Sequence, residues 1–249
     1  MNSRILHKGL LTVSAVLALG LAGWGQCSDA NVTGKYGFAI SGFAKNAQPI
    51  AIAGYIKADG KGTFTATESG SIGGTIFTNT PVTGTYSINA DCTGTAITKI
   101  TKAVNHFNLV VVSGGKGLQA VGADSGNVET ETVQAQGKEI CTLAGLKGTF
   151  GIQAKGMFLG VGSVAFDGVF TFDGNGKVSG VESGSLDGAI FTGQSASGTY
   201  TVASNCTGTM AIMVENQTEH SSFVVTNGGK GLLLVETDAD TVVSGFGQQ

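Results

Sequence analysis

The chain has 249 residues, of which 41 are Gly and only two Pro, and charged side chains make up 12%. Setting aside residues 1–25 leaves 12 Lys against 17 acidic residues, a net charge of −5, with neither Arg nor Trp in the remainder. A nucleic-acid binder needs a basic face and a phosphate site favours the Arg fork, so both classes are excluded; a sugar-stacking site is weakened, with Tyr36, Tyr55, Tyr86 and Tyr200 the rings that remain.

Residues 1–25 read as a secretory signal peptide. Arg4 and Lys8 form its basic region, Leu10–Gly23 its apolar region, and Gly23-Trp24-Gly25 a small-x-small cleavage site, so the mature chain begins near Gln26. The apolar run is too short and wrongly flanked for a membrane span, and no later run reaches about 18 residues, so no transmembrane segment is expected in the mature chain. The expected location is secreted or periplasmic. A lipid anchor on Cys27 is disfavoured, because Cys27 has an internal counterpart, Cys141, that cannot be one.

That counterpart belongs to a repeat. A shift of 114 residues lays Cys27–Ala135 on Cys141–Gln249 without a gap, with identical residues at about a third of the positions. The domains expected are therefore 26–136 and 141–249, joined by the short polar connection Gln136–Ile140. In chain order the first copy predicts strands near Gly34–Phe43, Ile50–Ala58, Gly62–Ser71, Val82–Ala90, Gly94–Thr101, His106–Val112, Gly117–Asp124 and Val128–Ala135. These are Thr-, Val-, Ile- and Phe-rich runs bounded by Gly turns, and the second copy repeats them. Asp59-Gly60-Lys61-Gly62 and Asp173-Gly174-Asn175-Gly176 supply the positive-φ residues of tight hairpins. Gly114–Gly117 and Gly228–Gly231 are further turns. Each leads into a strand, so neither is a phosphate loop.

Eight short-linked strands per copy predict an all-β chain of two tandem antiparallel eight-stranded up-and-down β-barrels. Alternation places Phe64, Ala66 and Glu68 on one face, Tyr86, Ile88 and Ala90 on another, and Phe107, Leu109 and Val111 on a third, with Thr and Ser opposite. The inner faces should be apolar and the exterior wet. Each copy carries one Cys at its start and one 65 residues later, so the pairing both copies can share is Cys27–Cys92 and Cys141–Cys206. The Cys and His spacings fit no metal site, and no cofactor is implied.

These turn elements resemble those of exported bacterial proteins of unknown function built from glycine- and threonine-rich β-units. The elements are Gly34–Gly37, Asp59–Gly62, Gly84–Tyr86, Cys92–Thr95 and Gly114–Gly117, each with its aligned partner. In architecture the unit is also similar to calycin and allene-oxide-cyclase barrels, a likeness of shape that carries no function.

Polar residues kept by both copies are the candidates for chemistry. Glu68 and Glu182 share a strand face with apolar or small residues, which is costly for a carboxylate unless it has a partner or a task. The competing reading is that the strand bends at Ser69-Gly70 and turns Glu68 out. Tyr86 and Tyr200 are the accompanying candidates for ligand contact. His106 and His220 lack an aligned nucleophile and read as strand starts with local hydrogen bonds. Asp124 and Asp238 read as turn residues. No catalytic set emerges. The first functional reading is an exported non-catalytic β-barrel repeat protein with a structural or binding role, self-association outside the cell included. The second is a carrier of a small apolar ligand with one cavity per barrel, and the third a barrel-type cyclase or isomerase. Ala66, Ala90 and Gly180 suggest interior space, whereas Phe64, Tyr86 and Tyr200 suggest filling.

Overall fold

The structure, a computed structural model, describes residues 26–101, 103–137 and 141–249; the expected leader lies outside them, as does most of the expected connection. The first half forms β1 (Thr33–Ala44), β2 (Gln48–Asp59), β3 (Thr63–Ile72), β4 (Thr75–Ile88), β5 (Thr93–Ile100), β6 (Ala103–Val112), β7 (Gly117–Gly122) and β8 (Val128–Ala135). The second forms β9 (Lys147–Phe158), β10 (Gly162–Asp173), β11 (Lys177–Leu186), β12 (Ala189–Val202), β13 (Thr207–Val214), β14 (Gln217–Thr226), β15 (Gly231–Glu236) and β16 (Thr241–Gln248). Each set is an antiparallel meander that closes on itself, β1 on β8 and β9 on β16, giving two eight-stranded barrels. Closure pairs every strand on both sides, which removes the exposed edges an open sheet would leave.

The turns form as their residues dictate. Asp59 Oδ1 accepts from the backbone N–H of Lys61 (2.8 Å) and Thr63 (2.9 Å), and Asp173 does the same for Asn175 and Lys177, an Asx arrangement that fixes both hairpins. These bonds also hold the two carboxyls below the ordinary aspartate range. Two differences from the sequence reading stand out. Strand β4 begins at Thr75 rather than Val82, despite Pro81. Its pairing with β5 starts only at Thr83, so the missing N–H of Pro81 falls where no ladder bond is required. The strand also ends at Ile88, which leaves Ala90 in an exposed turn rather than on the inner face.

Both disulfides join the residues expected, Cys27–Cys92 and Cys141–Cys206, and no cysteine is free. Each ties the segment entering its barrel to the β4–β5 or β12–β13 turn. Closing a 65-residue loop is worth roughly 4 kcal/mol in chain-entropy terms. The bridges fit an oxidising environment. Among the described residues no helix is long and apolar enough to cross a membrane.

The barrel exteriors are not wet throughout. Ala39, Ala51 and Ala53 on β1 and β2 pack against Val235 and Val242 on β15 and β16, so the barrels share a dry face. A Cβ at Gly37 would lie 2.6 Å from Thr226 Cγ2, so only glycine allows this approach. Gln136, placed by sequence in a polar connection, is buried and acts as a pin. Its N–H donates to Lys35 O, its Nε2 donates to Asn205 O at 3.0 Å, and its carbonyl accepts from Gly228 N–H at 2.8 Å.

Candidate functional site

One end of each barrel is sealed. In the first, the 3-10 turn Asp29–Asn31 lies across the disulfide end, where Asp29 Oδ1 accepts from Ile88 N–H at 2.7 Å. Tyr86 donates its hydroxyl to Val32 O at 2.7 Å, and Tyr36 donates to Gly115 O at 3.0 Å, so both rings are fastened to this floor. In the second barrel Tyr200 donates to Leu146 O at 2.8 Å and accepts from Gly174 N–H at 3.0 Å. The hydroxyls of Tyr86 and Tyr200 thus belong to the floor; Tyr86, with Tyr36, lines the first barrel's cavity, and Tyr200 lies outside the lining of the second barrel's smaller void.

Glu68 and Glu182 point inward and are buried, each 6% exposed. The expected bend at Ser69-Gly70 exists, as register shifts between Glu68 and Gly70 and between Glu182 and Gly184. Its role is the opposite of turning the carboxylate out. The bulged Ser69 accepts from Asn79 N–H at 3.0 Å, Ser183 likewise from Gly193 N–H, and the glutamate before each keeps its inward aim.

Four further inward acids escaped the sequence reading because the copies carry them at different positions. On β8, Glu129 and Glu131 share the inner face with Val133 and enter from the end remote from the disulfide, since Val128 pairs with Phe43 and Ala135 with Tyr36. In the second barrel Glu219 on β14 and Glu236 on β15 face the interior beside Glu182. Each interior therefore holds three carboxyl groups and, among the described residues, no ion-pair partner for any of them. Burial pushes Glu68 up to about 7. Burial, and then the charges of Glu68 and Glu129, push Glu131 up to about 8. Glu182 reaches about 7 by burial with Glu219 adding to it, and Glu236 about 8 by burial with Glu219, Asp238 and Glu182 adding. Glu236 Oε1 is buried without a hydrogen-bond partner. These are acids that keep their proton near neutrality and could donate it in a hydrogen bond, or surrender it to a base.

What separates the barrels is room. The first encloses a cavity of about 100 Å³ with apolar walls that include Phe38, Ile56, Ala96, Phe107 and Ala120, and with Glu68, Glu129, Glu131 and Asn105 among its lining. The second retains about 30 Å³. Where the first carries Ala58, Ala96 and Ala120, the second carries Phe172, Met210 and Leu234. Phe172 also stacks edge-on with Phe150 (5.3 Å) and Tyr200 (5.0 Å), a three-ring plug, whereas the first barrel has one looser pair, Phe64 and Tyr86, at 6.5 Å. Phe64 and Phe107 are replaced by the smaller Val178 and Ser221 in the second barrel, which offsets only part of the difference.

His106 and His220 lie outside the lining of the two cavities. His106 Nδ1 sits 2.8 Å from Asp124 Oδ1 and its N–H donates to Asp124 Oδ2 at 2.7 Å; His220 and Asp238 repeat the arrangement. The bond from the His106 N–H, and then that from its ring, hold Asp124 below the usual carboxylate range. These clamps tie β6 and β14 to the β7–β8 and β15–β16 turns; the strands begin three residues before each histidine, at Ala103 and Gln217, and the partner is 18 residues away rather than local. Among the described residues no three His, Cys, Asp or Glu side chains are grouped to hold a metal ion. No protein-family model and no curated protein sequence matches the chain.

Proposed function

We propose that the chain is an exported, non-catalytic binding protein whose first barrel receives a small apolar molecule carrying a basic nitrogen, the second barrel being its filled companion. The observation that carries this reading is the coincidence, in one barrel only, of an apolar cavity of about 100 Å³ with a buried carboxyl, Glu68, that has no ion-pair partner among the described residues. A void of about 150 Å³ lined by apolar side chains accepts benzene, so about 100 Å³ suits a smaller group, a short or branched alkyl chain or the end of a longer molecule. The walls would exclude water, and a cation beside Glu68 would supply the counter-charge the interior lacks. Export is supported by the leader pattern and by the two disulfides.

Calorimetric or NMR titration with small primary amines, set against neutral molecules of the same shape, tests the reading. The amines should bind the first barrel about tenfold or more tightly than their neutral counterparts, a preference of about 1.4 kcal/mol. Glu68→Gln should abolish the preference and Glu182→Gln should leave it intact. Equal binding of amines and neutral isosteres, or equal damage from the two substitutions, would overturn it.

A further inference from the structure

The contact between the two barrels is heterologous: the β14–β16 face of the second meets the β1–β3 face of the first. The first barrel therefore keeps its own copy of the docking face, on β6–β8, and the second its own copy of the receiving face, on β9–β11. Three valines of the docking face recur in both copies. Val224, Val235 and Val242 are buried, at 0%, 0% and 4% exposure, whereas their aligned partners Val110, Val121 and Val128 stand 45%, 48% and 72% exposed on one continuous outer face. The receiving face likewise keeps Gly151 and Ala165 where the first barrel uses Gly37 and Ala51, with Val169 and Val181 exposed beside them. Shallow grooves run over both free faces, and Val121, Val128 and Ala165, where these faces flank the internal contact, also line the groove between the two barrels.

We propose that a second copy of this chain seats its β9–β11 face on the β6–β8 face of the first, repeating between molecules the contact made within each. The free faces differ from the internal one in polarity. Gln119 replaces Leu233 on the docking side, and Gln153 and Asp167 replace Ala39 and Ala53 on the receiving side. Uncharged hydrogen-bonding groups thus oppose a mixed polar surface. That is the composition of a reversible interface rather than of the permanent apolar one inside the chain. A head-to-tail contact leaves one free face at each end, so association should continue past the dimer.

Sedimentation or light scattering of the full chain from micromolar to millimolar concentration tests this. The mean mass should climb through dimer and trimer without a plateau. Val121→Lys spoils the docking face and Ala165→Lys the receiving face, both at exposed positions that should leave the circular dichroism spectrum unchanged. Each variant alone should stay monomeric. Their mixture should form a dimer and nothing larger, because one intact face from each remains. A wild-type chain that stays monomeric at millimolar concentration, a variant that still associates, or a mixture that gives no dimer would overturn the proposal.

Discussion

Filling the first barrel's cavity is the most direct way to ask whether it is empty space held open by the fold. Ala120 lines the cavity, and its aligned partner in the filled barrel is Leu234. A cavity costs roughly 24 cal/mol per Å³, so about 100 Å³ stores at most about 2.4 kcal/mol. Ala120→Val should recover about 1 kcal/mol of this and Ala120→Leu up to about 2, in keeping with about 0.8 kcal/mol per buried methylene. The melting temperature should then rise by roughly 2–8 °C, given about 2–4 °C per kcal/mol for a cooperative unit near 200 residues. The cross-strand neighbours of Ala120 are Leu109 and Glu131, whereas those of Leu234 are Phe223 and Gly245. The larger side chain therefore crowds Glu131, and Ala120→Leu with Glu131→Gly, which reproduces the second barrel's pair, relieves it. Thermal melts supply the stability and amine titration the occupancy, which should be lost in the Leu variant. If Val and Leu each destabilise by more than about 1 kcal/mol, the site is already packed and the cavity argument fails.

Two other expectations follow from the interior and the inter-barrel face. An ordinary glutamate releases its proton near 4.5, whereas Glu68 and Glu182 hold theirs to about 7 and Glu131 and Glu236 to about 8. Between those limits the folded chain binds protons the unfolded chain has lost, so stability is highest at the acid end and falls as pH rises, by at most about 1.4 kcal/mol per pH unit for each group. Thermal midpoints that rise from about pH 5 to pH 8 would show that the carboxyls are ionised and satisfied, while Glu68→Gln should flatten the slope. Expressed separately in an oxidising compartment, residues 26–137 and 141–249 should each close a barrel, because each has its own core and bridge. The second half, with Val224, Leu233, Val235 and Val242 uncovered, should self-associate and should bind the first half when mixed. A second half that remains monomeric alone and ignores the first would mean that the shared face contributes little.

Much of this was legible because alternation and the repeat carry independent information. Period two put Phe64, Ala66 and Glu68 on one face, and the equal Cys spacing selected the two bridges. The repeat misled where it was used as a filter. Asking which polar residues both copies keep found Glu68 and Glu182 and passed over Glu129, Glu131, Glu219 and Glu236. Yet alternation along Val128–Ala135 already set Glu129 and Glu131 on the face of Val133. Hollow against filled was not legible, because volume is exchanged between neighbours: Ala58 with Phe64 stands against Phe172 with Val178, and Ala96 with Phe107 against Met210 with Ser221. Only the assembled interior shows the remainder. The shared face was hidden because Ala and Val at outward positions look like ordinary surface. The signal was in the unlike pairs, Leu233 against Gln119 and Ala53 against Asp167.

The displaced carboxyls also say which feature of the first barrel defines its site. A Cβ at Gly122 would lie 2.6 Å from Glu129 Cγ, so Glu129 fills the place that a side chain at 122 would take. In the second barrel that aligned position is Glu236, and the position of Glu129 is Val243. A carboxyl thus reaches the same part of the interior from β8 in one barrel and from β15 in the other. Glu131 and Asn105 are similarly exchanged for Gly245 and Glu219. Three inward acids are therefore common to the hollow barrel and the filled one, and the acids by themselves do not mark a ligand. What differs is space, about 100 Å³ in the first barrel against about 30 Å³ in the second. Any ligand that depends on Glu68 must consequently be indifferent to Glu182, and the comparison of Glu68→Gln with Glu182→Gln separates a binding site from a shared structural requirement of the fold.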